Sequence, residues 1–171
     1  MDALVQYTLP LSGLRNGIHE FNFLVDDEFF SHFENSPVRQ GKVEVSLIFD
    51  KRPDLIVMIF KFKGSVKLEC DRCLENFDLP LEGEENILVK YAAEDAPQEE
   101  GDIVYVVEGA QELKIANYVY EIICLAIPMS KTHDLAGESC NQEMLKYLTA
   151  PDEEKSNENP IWDALKSIRK N

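Results

Sequence analysis

Basic residues are scarce in this chain of 171 residues, where 17 lysines and arginines are outnumbered by 32 aspartates and glutamates. The resulting formal charge of −15 repels polyphosphate, so general binding to nucleic acid is disfavoured. An acidic surface instead favours a basic protein partner. The alternative is that the charge only keeps the protein in solution.

Long hydrophobic runs and an N-terminal leader are also missing from the sequence. No apolar stretch approaches the ~18 residues of a membrane-spanning helix, and the chain does not open with a basic segment followed by an apolar run. We therefore predict a cytoplasmic protein without membrane contact. In that reducing compartment the 4 cysteines are expected to be thiols or metal ligands rather than disulfides.

Recognisable catalytic motifs are absent as well. The sequence has no glycine-rich phosphate loop, nucleophile elbow or H-E-x-x-H motif. His19 and His32 have no carboxylate, serine or cysteine companion at a suitable spacing, and Cys124 lies in an apolar helical segment that is typical of a core thiol. We therefore expect neither enzymatic activity nor a small-molecule substrate.

What the sequence does contain is a concentration of metal-binding side chains in two short segments. Cys70 and Cys73 form a C-x-x-C pair, and His133 and Cys140 follow much later in the chain. Three thiolates and one imidazole suit tetrahedral zinc, so we predict a zinc site formed by these four residues. The alternative is that they are ordinary residues of a turn and a loop. A redox role is disfavoured because redox C-x-x-C motifs open a helix, whereas both flanks here are predicted strands.

Alternating apolar and polar residues predict strands in the first two thirds of the chain. The stretch from Leu55 to Cys70 is apolar on both faces until Phe60 and then alternates. Residues Phe77 to Tyr91 keep the same parity, which predicts a hairpin with Cys70 and Cys73 at its end. Further strands are predicted around residues 5–9, 18–25, 42–49 and 103–107.

Helical spacing of apolar residues identifies fewer elements. A long helix is predicted from Leu113 to Leu125, stopped by Pro128, and short helices are predicted near residues 26–33 and 139–148. The predicted fold is therefore α+β, with antiparallel sheets that could curl into a partial barrel and the long helix packed across them. These elements form one predicted domain over residues 1–150.

The C-terminal tail has two predicted parts. Residues 151–158 form an acidic linker without an apolar anchor, and residues 159–171 form an amphipathic helix that begins with Asn159 and Pro160. The apolar side of this helix carries the candidate partner-binding residues Ile161, Trp162 and Leu165. We expect the helix to dock on its own domain in the free protein, with docking on a partner as the alternative.

A basic stripe is predicted on one strand of the hairpin. Lys61, Lys63 and Lys67 alternate along the strand, ~6.6 Å between successive outward positions, and Arg72 lies at its end. These four residues are the candidate contacts to RNA phosphates. The alternative is a solvated sheet face whose charge is neutralised by acidic residues on the next strand, because aromatic stacking partners are missing there.

Four sequence blocks together resemble the YceD family, the large ribosomal RNA subunit accumulation proteins of bacteria and plastids. The blocks are residues 69–77 with the C-x-R-C motif, 121–128, 133–140 and 159–165. The resemblance implies a non-enzymatic factor for the synthesis or accumulation of large-subunit ribosomal RNA, and hence for ribosome biogenesis. Together with the charge, it leads us to expect a basic ribosomal protein as partner and weak contact with rRNA.

Two other functions remain open at this stage. An rRNA-processing nuclease would need clustered carboxylates to hold Mg²⁺, and the acidic residues here lie mostly in predicted loops and the linker. The other function is that of a zinc-stabilised adaptor unrelated to ribosomes.

Overall fold

The computed structural model describes residues 3–93, 99–100 and 103–148. The predicted linker at residues 151–158 and the predicted helix at residues 159–171 lie outside this part of the chain. The roles of Ile161, Trp162 and Leu165 therefore stay predictions. No described helix is long and apolar enough to cross a membrane.

Strands dominate the described chain. They are β1 (Thr8–Pro10), β2 (Gly17–Val25), β3 (Gln40–Lys51), β4 (Leu55–Glu69), β5 (Asn76–Ala92), β6 (Glu99–Glu100), β7 (Ile103–Val107) and β8 (Glu112–Lys114). The helices are α1 (Asp27–Ser31), α2 (Ala116–Leu125) and α3 (Gln142–Leu145), with 3₁₀ helices at Ala3–Tyr7 and His133–Ala136. The α+β class predicted from the sequence is thus confirmed.

Six of the strands form one sheet in the order β2-β3-β4-β5-β7-β6. Neighbouring strands pair antiparallel except β5 and β7, which run parallel. Strands β1 and β8 form a separate two-stranded sheet. The described strands leave the large sheet open rather than closed into a barrel.

The alternation of side chains in the long strands gives the large sheet two faces. In β4, Phe60, Phe62 and Val66 are buried, whereas Lys61 and Lys63 are exposed. Strands β3 and β5 alternate in the same way. We call the side that carries the buried residues the inner face and the opposite side the outer face. The predicted hairpin of β4 and β5 is confirmed, and its pairing reaches Glu69 and Asn76.

Two glycines allow these strands to approach each other closely. A Cβ atom at Gly64 would overlap the backbone carbonyl of Lys42 on β3. A Cβ atom at Gly83 would lie 2.5 Å from the ring of Phe62, its partner on β4. The ring of Phe62 therefore covers Gly83, and neither position accepts a side chain unless a strand or ring moves.

The hydrophobic core lies on the inner face and combines aliphatic with aromatic side chains. Helix α1 contributes Phe29 and Phe30, and α2 contributes Ile123, all of which are buried. The ring of Phe33 stacks on Tyr120 of α2 with 3.9 Å between ring centroids. Helices α1 and α2 are thereby joined to the same core cluster.

Three predicted element boundaries are corrected. Residues 3–7 form a 3₁₀ helix rather than the start of a strand, and this turn buries Tyr7 in the core. The long helix begins at Ala116, because Leu113 lies in β8 opposite Leu9, where both leucines are buried. The helix predicted at residues 139–148 is reduced to α3, since the chain before it is irregular and buries Cys140.

Candidate metal centre

The first half of the centre is the turn that joins β4 to β5. The Leu74 amide donates to the Cys70 carbonyl over 2.9 Å, and the Cys70 amide donates to the Glu75 carbonyl over 2.9 Å. Leu74 adopts the left-handed region with φ 60°, which a non-glycine residue enters only when its surroundings hold it there. This tight turn brings the side chains of Cys70 and Cys73 into the protein, where both are buried.

The second half is the segment between α2 and α3. The 3₁₀ helix that begins at His133 ends at Gly137, whose left-handed φ of 73° reverses the chain. The Glu138 amide then donates to the His133 carbonyl over 3.0 Å. This compact turn, which the wide sequence spacing of His133 and Cys140 does not reveal, brings both side chains to the hairpin end.

All four predicted ligands come together. The Cys73 Sγ atom lies 3.4 Å from His133 Nδ1, and the Cys140 Sγ atom lies 3.7 Å from the same nitrogen. The Cys70 and Cys140 Sγ atoms are 3.7 Å apart, which is far beyond the ~2.05 Å of a disulfide bond. All four donor atoms lie within 4.8 Å of one another, and all four residues are buried. This cluster can hold one metal ion.

Polar contacts fix the second segment to the hairpin end. The Asp71 amide donates to the Lys131 carbonyl over 2.7 Å, and the Lys131 amide donates to the Asp71 carboxylate over 2.6 Å. The Lys131 ammonium is also 3.5 Å from the same carboxylate. Asp71 thus joins the two ligand-bearing segments with both its backbone and its side chain.

Two further contacts flank that pair. The Arg72 guanidinium lies 2.7 Å from the Asp134 carboxylate, and the Asn141 side-chain amide donates to the Glu75 carboxylate over 2.6 Å. Sequence analysis did not single out Asp71, Glu75 or Asn141. The sequence could have pointed to them only by position, because each is adjacent to, or two residues from, a predicted metal ligand.

The environment of the thiols favours one thiolate. Burial raises the pKa of the Cys70 thiol, but the backbone amides of Cys73 and Arg72 and the His133 side chain outweigh it and bring that pKa down to about 6. Burial and the adjacent Cys70 raise the pKa of Cys140. The His133 ring packs against Phe77 with 4.9 Å between centroids. The cluster therefore combines a thiol of lowered pKa with an imidazole that packs against a neighbouring ring.

The predicted basic stripe is present on the outer face, but acidic partners lie beside it. Lys61 is 3.2 Å from Glu84, and Lys63 is 2.8 Å from Glu82. Lys67 lies opposite Asp78 in the β4–β5 register. Arg72 lies in the hairpin turn, where it contacts Asp134 as described above. This arrangement favours the solvated-face interpretation, and rRNA contact by the stripe stays a prediction.

Comparison with known proteins identifies one family. The family model described as Large ribosomal RNA subunit accumulation protein YceD matches residues 58–169, which is well over half of the chain. The matched segment includes β4 from Met58 onward, all of β5 and all four residues of the cluster. No curated protein and no solved structure matches the chain.

Proposed function

We propose that this chain is a non-enzymatic factor of ribosome biogenesis, because it belongs to the YceD family of large ribosomal RNA subunit accumulation proteins. In this role it promotes the accumulation of large-subunit rRNA by binding a ribosomal protein. The observation that carries the proposal is the family match over residues 58–169, which contains the complete buried cluster.

We further propose that the metal in the cluster is zinc. Tetrahedral zinc, with bonds of ~2.3 Å to sulfur and ~2.0–2.1 Å to nitrogen, requires sulfur–sulfur edges of about 3.8 Å and sulfur–nitrogen edges of about 3.6 Å. The measured sulfur–sulfur distance of 3.7 Å and sulfur–nitrogen distances of 3.4 and 3.7 Å agree with those edges. Three soft thiolates also favour zinc over magnesium or calcium.

The proposed role of zinc is structural. Four protein ligands complete a tetrahedral site, which leaves no coordination position for water or substrate. Cys70 and Cys73 hold the ion from the hairpin, while His133 and Cys140 hold it from the segment between α2 and α3. The polar contacts of Asp71, outside the cluster, orient the two segments toward each other.

The proposed partner is a basic ribosomal protein. The excess of acidic over basic residues attracts cationic proteins and repels free rRNA. On the outer face, the pairing of Lys61 with Glu84 and of Lys63 with Glu82 further reduces attraction for phosphate. Binding to rRNA is therefore expected to be weak and secondary.

The experiment titrates the full chain with individually purified large-subunit ribosomal proteins and, separately, with a fragment of large-subunit rRNA. We expect at least one basic ribosomal protein to bind, with an affinity that falls as salt rises, and the rRNA fragment to bind more weakly. Depletion of the protein from cells should lower the ratio of large-subunit to small-subunit rRNA. The absence of ribosomal-protein binding together with an unchanged rRNA ratio would refute the proposal.

A further inference from the structure

The outer face of the sheet changes character along the β4–β5 hairpin. Near the middle of β4 it is charged, but toward the start of β4 it becomes apolar. Ile48 pairs with Ile59, Val57 pairs with Leu88, and Leu88 pairs in turn with Ile103 of β7. We call the outward residues of this region the apolar patch; they are Ile18, Ile48, Val57, Ile59, Leu88 and Ile103.

The patch lies on the side opposite to the core. Between its members, Phe49, Met58, Phe60 and Val89 alternate toward the inner face and are buried. Ile18 is nevertheless 69% exposed and Leu88 is 37% exposed. A strand segment that is apolar on both faces is typical of a sheet covered on both sides. The start of β4 thus has the composition of a covered strand, although part of its outer face is open.

Charged side chains border the patch, and one of them, Asp50, lies within it between Ile18 and Val57. The next pair of residues along the outer face is Lys61 and Glu84, which form an ion pair, and a groove of about 860 Å³ extends from there toward Glu44 and Glu82. No ion pair among the described residues involves Glu20 or Glu44, whereas Asp50 is compensated by Arg52. Lys90 lies on the far side of the patch, opposite Leu55. Glu44 lies opposite Lys63, and the groove is lined by Glu44, Glu82 and Glu84 against Lys61 and Lys63, so it keeps an excess of negative charge. Glu20 lies opposite Ile48 at the edge of the patch.

We propose that the apolar patch and the adjoining groove are the docking surface for a basic amphipathic segment of the ribosomal protein. The proposal rests on the function proposed above and locates its partner on the sheet. Apolar side chains of the segment cover the patch, and its lysines or arginines lie near Glu20 and Glu44. Charge complementarity selects this occupant. A second copy would bring another net charge of −15 to the same face, and RNA offers phosphate rather than aliphatic surface.

The test compares three single variants of the full chain in titrations with the ribosomal protein that binds the wild type. Ile59→Lys places a charge at the centre of the patch on a side chain that points away from the core. We expect it to weaken binding at least about tenfold. Gln40→Lys adds the same charge at an exposed outer-face position near the metal centre and should bind within about twofold of wild type. Leu88→Lys repeats the first test on β5 in case Ile59→Lys does not fold.

Metal content and melting temperature are measured for each variant, so that loss of binding is read only from folded protein. Equal binding by wild type and the patch variants would overturn the docking surface and leave the proposed function standing. If the wild type binds no ribosomal protein, the docking surface fails, and the rRNA ratio in depleted cells then decides whether a role in ribosome biogenesis remains. A molar mass that rises with concentration in wild type but not in Ile59→Lys would assign the patch to a second copy. A red shift of Trp162 emission in isolated Ile59→Lys would assign it to the chain's own C-terminal segment.

Discussion

The two ends of the β4–β5 hairpin differ in how their side chains are covered. At the turn, four side chains that could hold a metal ion are buried, and the segment between α2 and α3 is fixed there through polar contacts. At the other end, apolar side chains on the outer face stay partly exposed. One end of the hairpin is thus covered by another segment of the same chain, whereas the other end has an apolar outer face that this part of the chain leaves partly open.

Loss of a metal ligand should have the largest effect. In Cys70→Ser we expect the bound metal to fall from one ion per chain toward zero, because hydroxyl oxygen is a poor zinc ligand. Since metal binding contributes to folding free energy, the melting temperature should fall by roughly 10 °C. Elemental analysis and calorimetry measure both quantities.

Cys124→Ser is the matched control, because Cys124 is a free thiol outside the cluster. It should retain the metal and lose far less stability. If Cys70→Ser keeps wild-type metal content and stability, the metal-centre interpretation is wrong.

The second prediction concerns the close approach of β3 and β4 between the two ends of the hairpin. Gly64→Ala should lower the free energy of unfolding by about 1–3 kcal/mol, because the new methyl group overlaps the Lys42 carbonyl. Gly13→Ala, where a Cβ would meet no atom within 4 Å, should be nearly neutral. Urea unfolding of both variants measures the difference. Equal stabilities would contradict the close packing of β3 on β4.

Removal of one polar contact at the turn should have a smaller effect. Asp71→Ala leaves the Lys131 amide without its carboxylate partner, so we expect a loss of about 1 kcal/mol with the metal still bound. Metal transfer to a chelator should become faster, because the two ligand-bearing segments separate more readily. Asp78→Ala, on the outer face of β5, is the control. A chelation rate equal to that of wild type would show that Asp71 does not hold the segments together.

The smallest effect is expected on the charged part of the outer face. Changing Lys61, Lys63 and Lys67 together to alanine removes only exposed ion pairs, so the melting temperature should change by less than about 3 °C. Any affinity for an rRNA fragment should fall if the stripe contacts phosphate. Unchanged RNA affinity would show that the stripe is a solvated sheet face.

Sequence patterns predict local features of this fold better than its pairings. The parity of Leu55 to Tyr91 was enough to predict the hairpin and the position of Cys70 and Cys73 at its end, because alternation is a local consequence of strand geometry. Leu113 fits a helix and a strand equally well by composition. Only its pairing with Leu9, far away in the chain, decides for β8.

The metal centre shows the same limit. Cysteine and histidine are recognisable ligands whatever the fold, so the four-residue set could be predicted from residue types. The contacts of Asp71 with Lys131 and of Glu75 with Asn141 could not, because such polar residues are common on any surface. The Glu75–Asn141 contact also follows a chain reversal at Gly137, for which the sequence offers one glycine and no pattern.

The cluster also links distant parts of the chain, since it joins Cys70 to Cys140. When it holds a metal ion, it closes a loop that contains β5, β7, β8 and α2. Unlike a disulfide, a metal ion is released when the protein unfolds, so its binding free energy adds to the stability of the folded protein. The loop includes Leu88 and Ile103 of the apolar patch. Because unfolding releases the metal, occupancy at the turn also opposes the unfolding of β5 and β7, which carry Leu88 and Ile103 at the other end.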